Sequence, residues 1–559
     1  MATAQSLSRS GWAQVKPEYQ KTVAQSASQL SLPGAGQTPN HVDQQQTTPP
    51  NKKKKRDKGM NKGRAKSNRP TKDFSKMLCP SVVSPNRTCH YGEKCRFLHD
   101  KRVFWESRAP DIDDWCPVFD RIGFCRHGIA CRFASSHTDP ETLENNTERT
   151  DQHKSNEQNV FSTDLQRKLR QKSYDFSNAD AVIQRFREDD VKEVVGPDLE
   201  KTVLKSKELV GKRYLAPLTT VGNLPFRRIC VELGAEVTCG EMALGTSLLQ
   251  GNQSEWSLVK RHESEKLFGV QLCGGHVDTM TRCSQMITDL AEVDFIDINL
   301  GCPIELICNK GAGCALMSRV TRLENVLRAV NSIVEPKSVA LTAKLRTGLQ
   351  QGKNTAHKVI ERIKHTGVSL FTLHGRSKEQ RYQRLADWDY ISECAQKADP
   401  VPLFGCGDVL SYEDYYTRLE SAGVAGIMIG RGALYKPWIF TEIKERRHWD
   451  ITAQERLDIL KKFVYNGLEH WGSDHKGVES TRRFLLEWLS FLHRYIPVGI
   501  LEVLPQRINE KPPAYFGRSE LETLLASDRA ADWVKISEML LGPVPEDFVF
   551  LPKHKANAY

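Results

Sequence analysis

The chain has 559 residues, a formal net charge of +11 and 39% apolar residues, too long for a single core and consistent with two to four domains. No run of eighteen apolar residues occurs, and the Ser/Gln/Ala-rich start lacks an apolar stretch, so neither a membrane span nor a secretion signal is expected. Of fifteen cysteines, six cluster before residue 140 and nine are scattered singly; that distribution reads as metal ligation plus reduced thiols inside a cell rather than a disulfide framework.

Residues 1–75 are rich in Gln, Ser, Pro and Lys and are predicted to be a disordered basic tail. Lys52 to Lys72 holds eleven Lys/Arg and one acid, Asp57. This run reads as a tether for nucleic acid, and Lys52–Arg56 as a nuclear localisation signal, so a cytoplasmic location, a nuclear one or both are expected. The bland alternative is a solvating linker. Residues 76–102 and 113–139 then carry two short metal-ligand patterns. The first is Cys79-x9-Cys89-x5-Cys95-x3-His99, three thiolates and an imidazole suited to tetrahedral zinc. A segment this short has no core, so the metal must supply its folding energy. The second is Cys116-x8-Cys125-x5-Cys131 with His137 as fourth ligand and His127 as the alternative. Both resemble CCCH zinc fingers, a family that binds single-stranded RNA. Tyr91, Phe97, Phe124 and Phe133 beside Lys94, Arg96, Arg126 and Arg132 offer ring faces for bases and cations for phosphates. Alternatively, the rings only pack the small folds. Residues 140–205 read as a linker with one amphipathic helix near Leu165–Tyr174.

From residue 206 to 448 short apolar runs alternate with helical stretches: Tyr214–Ala216, Glu236–Thr238, Leu267–Gln271, Phe295–Ile298, Val339–Ala343, Leu370–Leu373, Val401–Phe404 and Gly426–Ile429. Eight such units imply a parallel α/β sheet closed as a (β/α)8 barrel. An open doubly wound sheet is the alternative, but Pro217–Gly222 is no glycine-rich dinucleotide turn. Polar residues gather where the strands end, the functional face of a barrel: Pro217 and Leu218, Gln271, Asn299 and Cys302, Lys344 and Arg346, His374 and Arg376, Gly405–Asp408, and Gly430 with Arg431. Glycines after the seventh and eighth strands suit a ligand phosphate held on backbone N–H groups. A planar cofactor with a phosphate tail satisfies the set. Cys302, at a strand-to-loop junction in Asn299-Leu-Gly-Cys-Pro303, reads as a reactive thiol. Residues 449–545 are predicted to be a small helical domain, opened by the capping box Thr452-Ala-Gln-Glu455 and carrying Lys476, Arg482, Arg483, Arg494 and Arg507. Residues 546–559 form a tail.

Ala216-Pro-Leu218, Asn299–Pro303, Lys310-Gly-Ala-Gly313 with Ala315-Leu-Met317, Lys344-Leu-Arg-Thr-Gly348, His374-Gly-Arg376, Arg381-Tyr382 with Ala386-Asp-Trp388, Gly405-Cys-Gly-Asp408 and Gly430-Arg431 together resemble the tRNA-dihydrouridine synthase family. With paired CCCH fingers upstream, the chain is similar to its eukaryotic tRNA-dihydrouridine(47) synthase branch. Leu218 and Cys406 depart from the Met and Asn that the family often has there. The resemblance implies an FMN-binding barrel, a helical domain that grips tRNA, two structural zinc sites, and reduction of a uracil double bond with NADPH or NADH. It implies that Pro217, Leu218, Thr219, Gln271, Asn299, Lys344, His374, Gly405, Cys406, Gly407, Asp408, Gly430 and Arg431 hold FMN. Cys302 is then the general acid, and Lys310, Arg346, Arg376, Arg482 and Arg483 meet the RNA. It leaves open whether mRNA is also a substrate, and no protein partner follows from it. Two other readings remain: an RNA-binding adaptor whose barrel has lost catalysis, and a metabolic FMN barrel acting on a small molecule. The fingers and basic tract argue against the second.

Overall fold

The computed structural model describes residues 11–21, 74–83, 88–147, 156–187, 199–546 and 548–553. The basic run Lys52–Lys72 lies outside them. Eight parallel strands form the centre: β1 (Tyr214–Leu215), β2 (Val237–Cys239), β3 (Leu267–Cys273), β4 (Phe295–Leu300), β5 (Ala340–Arg346), β6 (Leu370–His374), β7 (Leu403–Cys406) and β8 (Gly426–Ile429). Each pairs with the next, and β8 pairs back to β1 through Met428 opposite Tyr214, so the sheet is a closed barrel. The open-sheet alternative is excluded by that closure. The strands read as near-continuous apolar runs because both faces are buried, the inner by opposed side chains and the outer by helices. Tyr214, Phe295 and Phe404 pack edge to face inside the barrel and fill it as a core.

After β8, helix Ala453–Trp471 starts at a capping box in which Thr452 and Glu455 satisfy each other's backbone donors. It pairs with helix His475–Leu492, and helices Glu520–Leu525 and Ala530–Leu541 complete the domain. Trp488, fully buried, donates to the Leu434 carbonyl at 3.0 Å and packs on Phe226 and Phe463, locking the helices to the barrel.

Two expectations need correction. Residues 11–21 were placed in a disordered tail, but they form a strap on the helical domain. Ala13 and Lys16 donate to the carbonyls of Lys511 and Ile500, and Val15 joins a small core with Ile496, Ile500, Leu501 and Tyr515. Residues 140–205 were read as a linker, yet 156–187 lie along the barrel wall. Glu157–Gln158 pairs antiparallel with Arg261–His262, and Phe161 stacks on Trp256 at 4.9 Å. Helix Thr163–Arg170, capped by Ser162, buries Leu165 and Leu169; helix Ser177–Arg187 buries Ala179, Val182 and Ile183. The amphipathic helix expected near Leu165–Tyr174 is the one observed at Thr163–Arg170; the polar composition hid the second, whose apolar residues spaced three and four apart suffice for one thin buried stripe.

Candidate active site

Asn299, near the end of β4, organises the loop that follows. Its Oδ1 accepts from the backbone N–H of Gly301 and Cys302 at 3.2 and 2.9 Å. Its Nδ2 donates to Gln271 Oε1 at 2.7 Å, Gln271 Nε2 donates to Asp297 Oδ2 at 2.7 Å, and Thr342 Oγ1 donates to Asp297 Oδ1 at 2.7 Å. This chain crosses β3, β4 and β5 and fixes the Cys302 amide to three strands. From the other side, Arg346 Nε donates to the Gly301 carbonyl at 2.8 Å, and its Nη1 to the Ser377 carbonyl at 3.0 Å. Arg346, expected to meet RNA, therefore spends at least two donors on holding loops. Cys302 is buried against Cys273, Ile307 and Ala312. Burial pushes its thiol above the ordinary range, with smaller opposing effects from a backbone N–H and Arg346. The arrangement holds a thiol in its protonated form where β4 ends.

A cationic wall faces this loop from β5, β6 and the glycine turns. Lys344 lies opposite Asn299 in the β4–β5 register; its ammonium is half-buried and forms neither hydrogen bond nor ion pair among the described residues. His374 is buried and held neutral, first by desolvation and then by Arg346, Lys344, Arg376 and Arg431 around it. Arg431 Nη2 donates to Asp408 Oδ1 at 2.7 Å, and its guanidinium lies 4.1 Å from the Tyr382 ring centre. Asp408 pairs with two of these four cations, Arg376 and Arg431, and the remaining positive charge gives a donor set that suits a phosphate-bearing ligand. Gly407 adopts φ +143°, and a Cβ there would lie 2.5 Å from Ala386 Cβ, so only glycine fits this turn.

Arg376 was expected to touch substrate. Instead it is fully buried, donates to both Asp408 oxygens at 2.7 Å and to the Arg384 carbonyl at 2.6 and 3.0 Å, and builds the wall from behind. Asp408, expected at the cofactor, is committed to those two arginines. Arg482, expected to grip RNA, is also buried: it donates to Ser537 Oγ and to the carbonyls of Leu541 and Gly542, closing the end of helix Ala530–Leu541. Arg483 and Lys310 are exposed, as is Thr219 after β1; Pro217 and Leu218 are half-buried there. Cys406 is buried on β7, and Gly405 is demanded by packing, since a Cβ would lie 2.4 Å from Trp388. A Cβ at Gly430 would make only ordinary contact, with Leu218 at 3.7 Å and Ala216 at 3.8 Å, so packing does not demand glycine there.

Sequence reading missed Asp297 and Thr342. A signal existed: a carboxylate inside the apolar run Phe295–Ile298 must be buried, and a buried carboxylate needs donors. Burial pushes Asp297 up, against the hydrogen bonds from Gln271 and Thr342 that pull it down.

Both finger motifs bring four ligand atoms together, Cys79, Cys89, Cys95 and His99 in one, Cys116, Cys125, Cys131 and His137 in the other, each set within 4.8 Å. Tetrahedral zinc with Zn–S of about 2.3 Å requires S···S edges of about 3.8 Å. Cys79 and Cys95 are 3.9 Å apart, and Cys116 and Cys131 are 3.8 Å apart, so the residues fit the ion. His137, not His127, completes the second set. The second finger is docked on the helical domain: Ser473 Oγ lies 3.3 and 3.2 Å from Cys125 and Cys131, Arg121 donates to Asn466, and Trp115 meets Tyr465 edge on at 5.2 Å. Phe133 is buried there, so it packs the fold and presents no face to a base. The first finger keeps Tyr91 72% exposed, beside exposed Lys94 and Arg96.

The chain matches the family model described as dihydrouridine synthase over residues 214–492, and that of the DUS3L CCCH zinc finger domain over residues 72–107. It is 50% identical over 555 residues to a protein of Homo sapiens named tRNA-dihydrouridine(47) synthase [NAD(P)(+)]-like, covering 90% of this chain and 84% of that one. Proteins of the same name are 49% identical in Xenopus laevis, covering 90% of this chain and 83% of that one, and 41% in Oryza sativa, covering 87% and 86%.

Proposed function

The chain belongs to the dihydrouridine synthase family, and from that premise we propose that it reduces the C5=C6 bond of a uridine in tRNA, at position 47 of the variable loop, with FMN as resident cofactor and NADPH or NADH as reductant. The observation that carries the reading is a buried, protonated Cys302 thiol after β4 together with a cationic wall built from the ends of β5, β6, β7 and β8. When bound, FMN supplies the hydride that adds at uracil C6. Lys344, half-buried and without an ion-pair partner among the described residues, would meet its electron-rich edge; His374 and Arg431, with the turns at Gly405–Asp408 and Gly430, would hold its phosphate. Gln271 and Asn299 line the same mouth.

Uracil C5=C6 is conjugated to the C4 carbonyl, so negative charge develops toward C5 and O4 as C6 is reduced. Cys302 gives its thiol proton to C5 from the opposite face, and solvent restores the thiol. Arg346, at the end of β5, and Lys310, on the loop after β4, border Cys302 and would face the developing oxyanion. A stacked base cannot reach this pocket, so the uridine must turn outward from the RNA. The first finger's exposed ring and cations, and Arg483 on the helical domain, are the RNA contacts supported by exposure. The test is direct: flavin-loaded protein, NADPH and unmodified tRNA transcript, with dihydrouridine mapped by nucleotide. Product at position 47 that disappears in Cys302→Ala is expected; no product, or product elsewhere only, overturns the assignment.

A further inference from the structure

The loop carrying Cys302 holds two more cysteines that neither zinc nor proton transfer uses. Cys308 ends the helical turn Glu305–Cys308, and Cys314 is the second residue of the 3-10 turn Gly313–Ser318. Their sulfurs lie 3.5 Å apart. Both report to one atom: Cys308 Sγ donates to the Cys302 carbonyl at 3.6 Å, and the Cys314 backbone N–H donates to the same carbonyl at 3.2 Å. Gly313, at φ +59°, sits so close that a Cβ would lie 2.8 Å from that carbonyl.

We propose that Cys308 and Cys314 form a reversible disulfide that switches the site down when peroxide is present. A disulfide needs S–S near 2.0 Å, so the sulfurs close by about 1.5 Å, and the movement is delivered to the Cys302 backbone that both residues hold. Cys308 is half-exposed while Cys314 is fully buried, so Cys308 is the sulfur that peroxide reaches. Burial also keeps the Cys302 thiol protonated, above its ordinary range, and protonated thiols react slowly with peroxide; Cys314, out of reach of peroxide, meets only the Cys308 sulfur beside it. In the first step Cys308 sulfur attacks one oxygen of hydrogen peroxide, the O–O bond breaks, and Cys308 sulfenic acid and water form. In the second, Cys314 sulfur attacks Cys308 sulfur, the S–O bond breaks, and a second water leaves with the remaining thiol proton. Two electrons pass from the two sulfurs to peroxide. A thiol reductant reverses the bond.

The turned-down activity rests on the uridine-reduction reading; the bond itself does not, and peptide mapping reads it separately. Full-length zinc- and flavin-loaded protein is exposed to hydrogen peroxide, alkylated and mapped, and its initial rate on tRNA is measured before and after dithiothreitol. A Cys308–Cys314 peptide pair is expected, with a rate lowered about ten-fold or more and restored by dithiothreitol while zinc content stays constant. Cys308→Ser and Cys314→Ser should each keep their rate under the same peroxide. The proposal is overturned if both cysteines map as free thiols after the rate has fallen, if the bond found includes Cys302 or Cys273, if it forms without changing the rate, or if Cys314→Ser is as sensitive as the parent. Absence of turnover before oxidation, with the disulfide still mapped, would count against the uridine reading and leave the bond standing.

Discussion

The role proposed for Cys302, a proton donor beside a hydride source, requires a thiol that is neutral at the pH of turnover. Its thiol packs among Cys273, Ile307 and Ala312, with no imidazole or carboxylate hydrogen-bonded to it among the described residues. Burial raises its pKa above the ordinary 9.0. A raised pKa keeps the proton-bearing form through neutral pH, and activity is lost only as pH rises through the shifted value. The kcat profile should therefore be flat across neutral pH, with its falling limb above 9.0; activity that rises with pH through 7 would make the thiolate the working form. Cys302→Ala should lower turnover by roughly 10²–10⁴ while flavin absorbance per chain stays constant, because no side-chain atom of Cys302 belongs to the cationic wall. Asn299→Ala tests placement. Without its Oδ1 the amides of Gly301 and Cys302 lose their acceptor, and misplacement of order 1 Å costs about 10² in rate. Loss in kcat with KM for tRNA retained is the outcome that identifies a positioning role.

At the scale of elements, the barrel was legible because its signal is repeated. Eight apolar runs separated by helical stretches leave few topologies, and the β7 run read at Val401–Phe404 is observed at Leu403–Cys406, a boundary error that leaves the strand end on the same loop. The polar strand ends were legible for the same reason. What each polar side chain does there was not, because direction decides it. Arg376 and Arg431 both follow strands and both bind Asp408, yet Arg376 points behind the wall. Nothing local in His374-Gly-Arg376 encodes that; the partner lies on the turn after β7, and Asp408 reaches it from a left-handed φ of +54°. This triad yields a stability prediction. Asp408→Asn keeps the shape but removes the charge between two guanidinia, one of them fully buried. Stranding a buried charge costs about 3–5 kcal/mol, so thermal unfolding of the barrel should shift down clearly, and flavin retention should fall with it. An unchanged melting temperature would mean that the cations do not depend on Asp408.

For the whole molecule, composition misled wherever a thin buried stripe sits in polar sequence. Residues 11–21 and 156–187 both belong to the folded body, so the chain approaches its catalytic barrel already strapped to the helical domain and the barrel wall. The fingers differ in the same way. The first has one buried ligand, Cys79, and an exposed His99; in the second all four ligands are buried, and Ser473 of the helical domain stands beside two of its sulfurs. Zinc leaves through solvent, and its loss removes the folding energy of a segment without a core. A chromophoric chelator should therefore release zinc in two phases of about equal amplitude. The fast phase empties the first finger and should raise KM for tRNA with kcat on bound RNA unchanged, since Tyr91, Lys94 and Arg96 lie outside the barrel. The slow phase must expose Cys116, Cys125, Cys131 and His137, so it should coincide with loss of the Trp115–Tyr465 contact and with a lower melting temperature of the helical domain. Cys89→Ser should delete the fast phase alone. Release of both ions in one phase, or a fast phase that lowers kcat, would show that the two fingers act as one unit and that the docked finger is not the structural one.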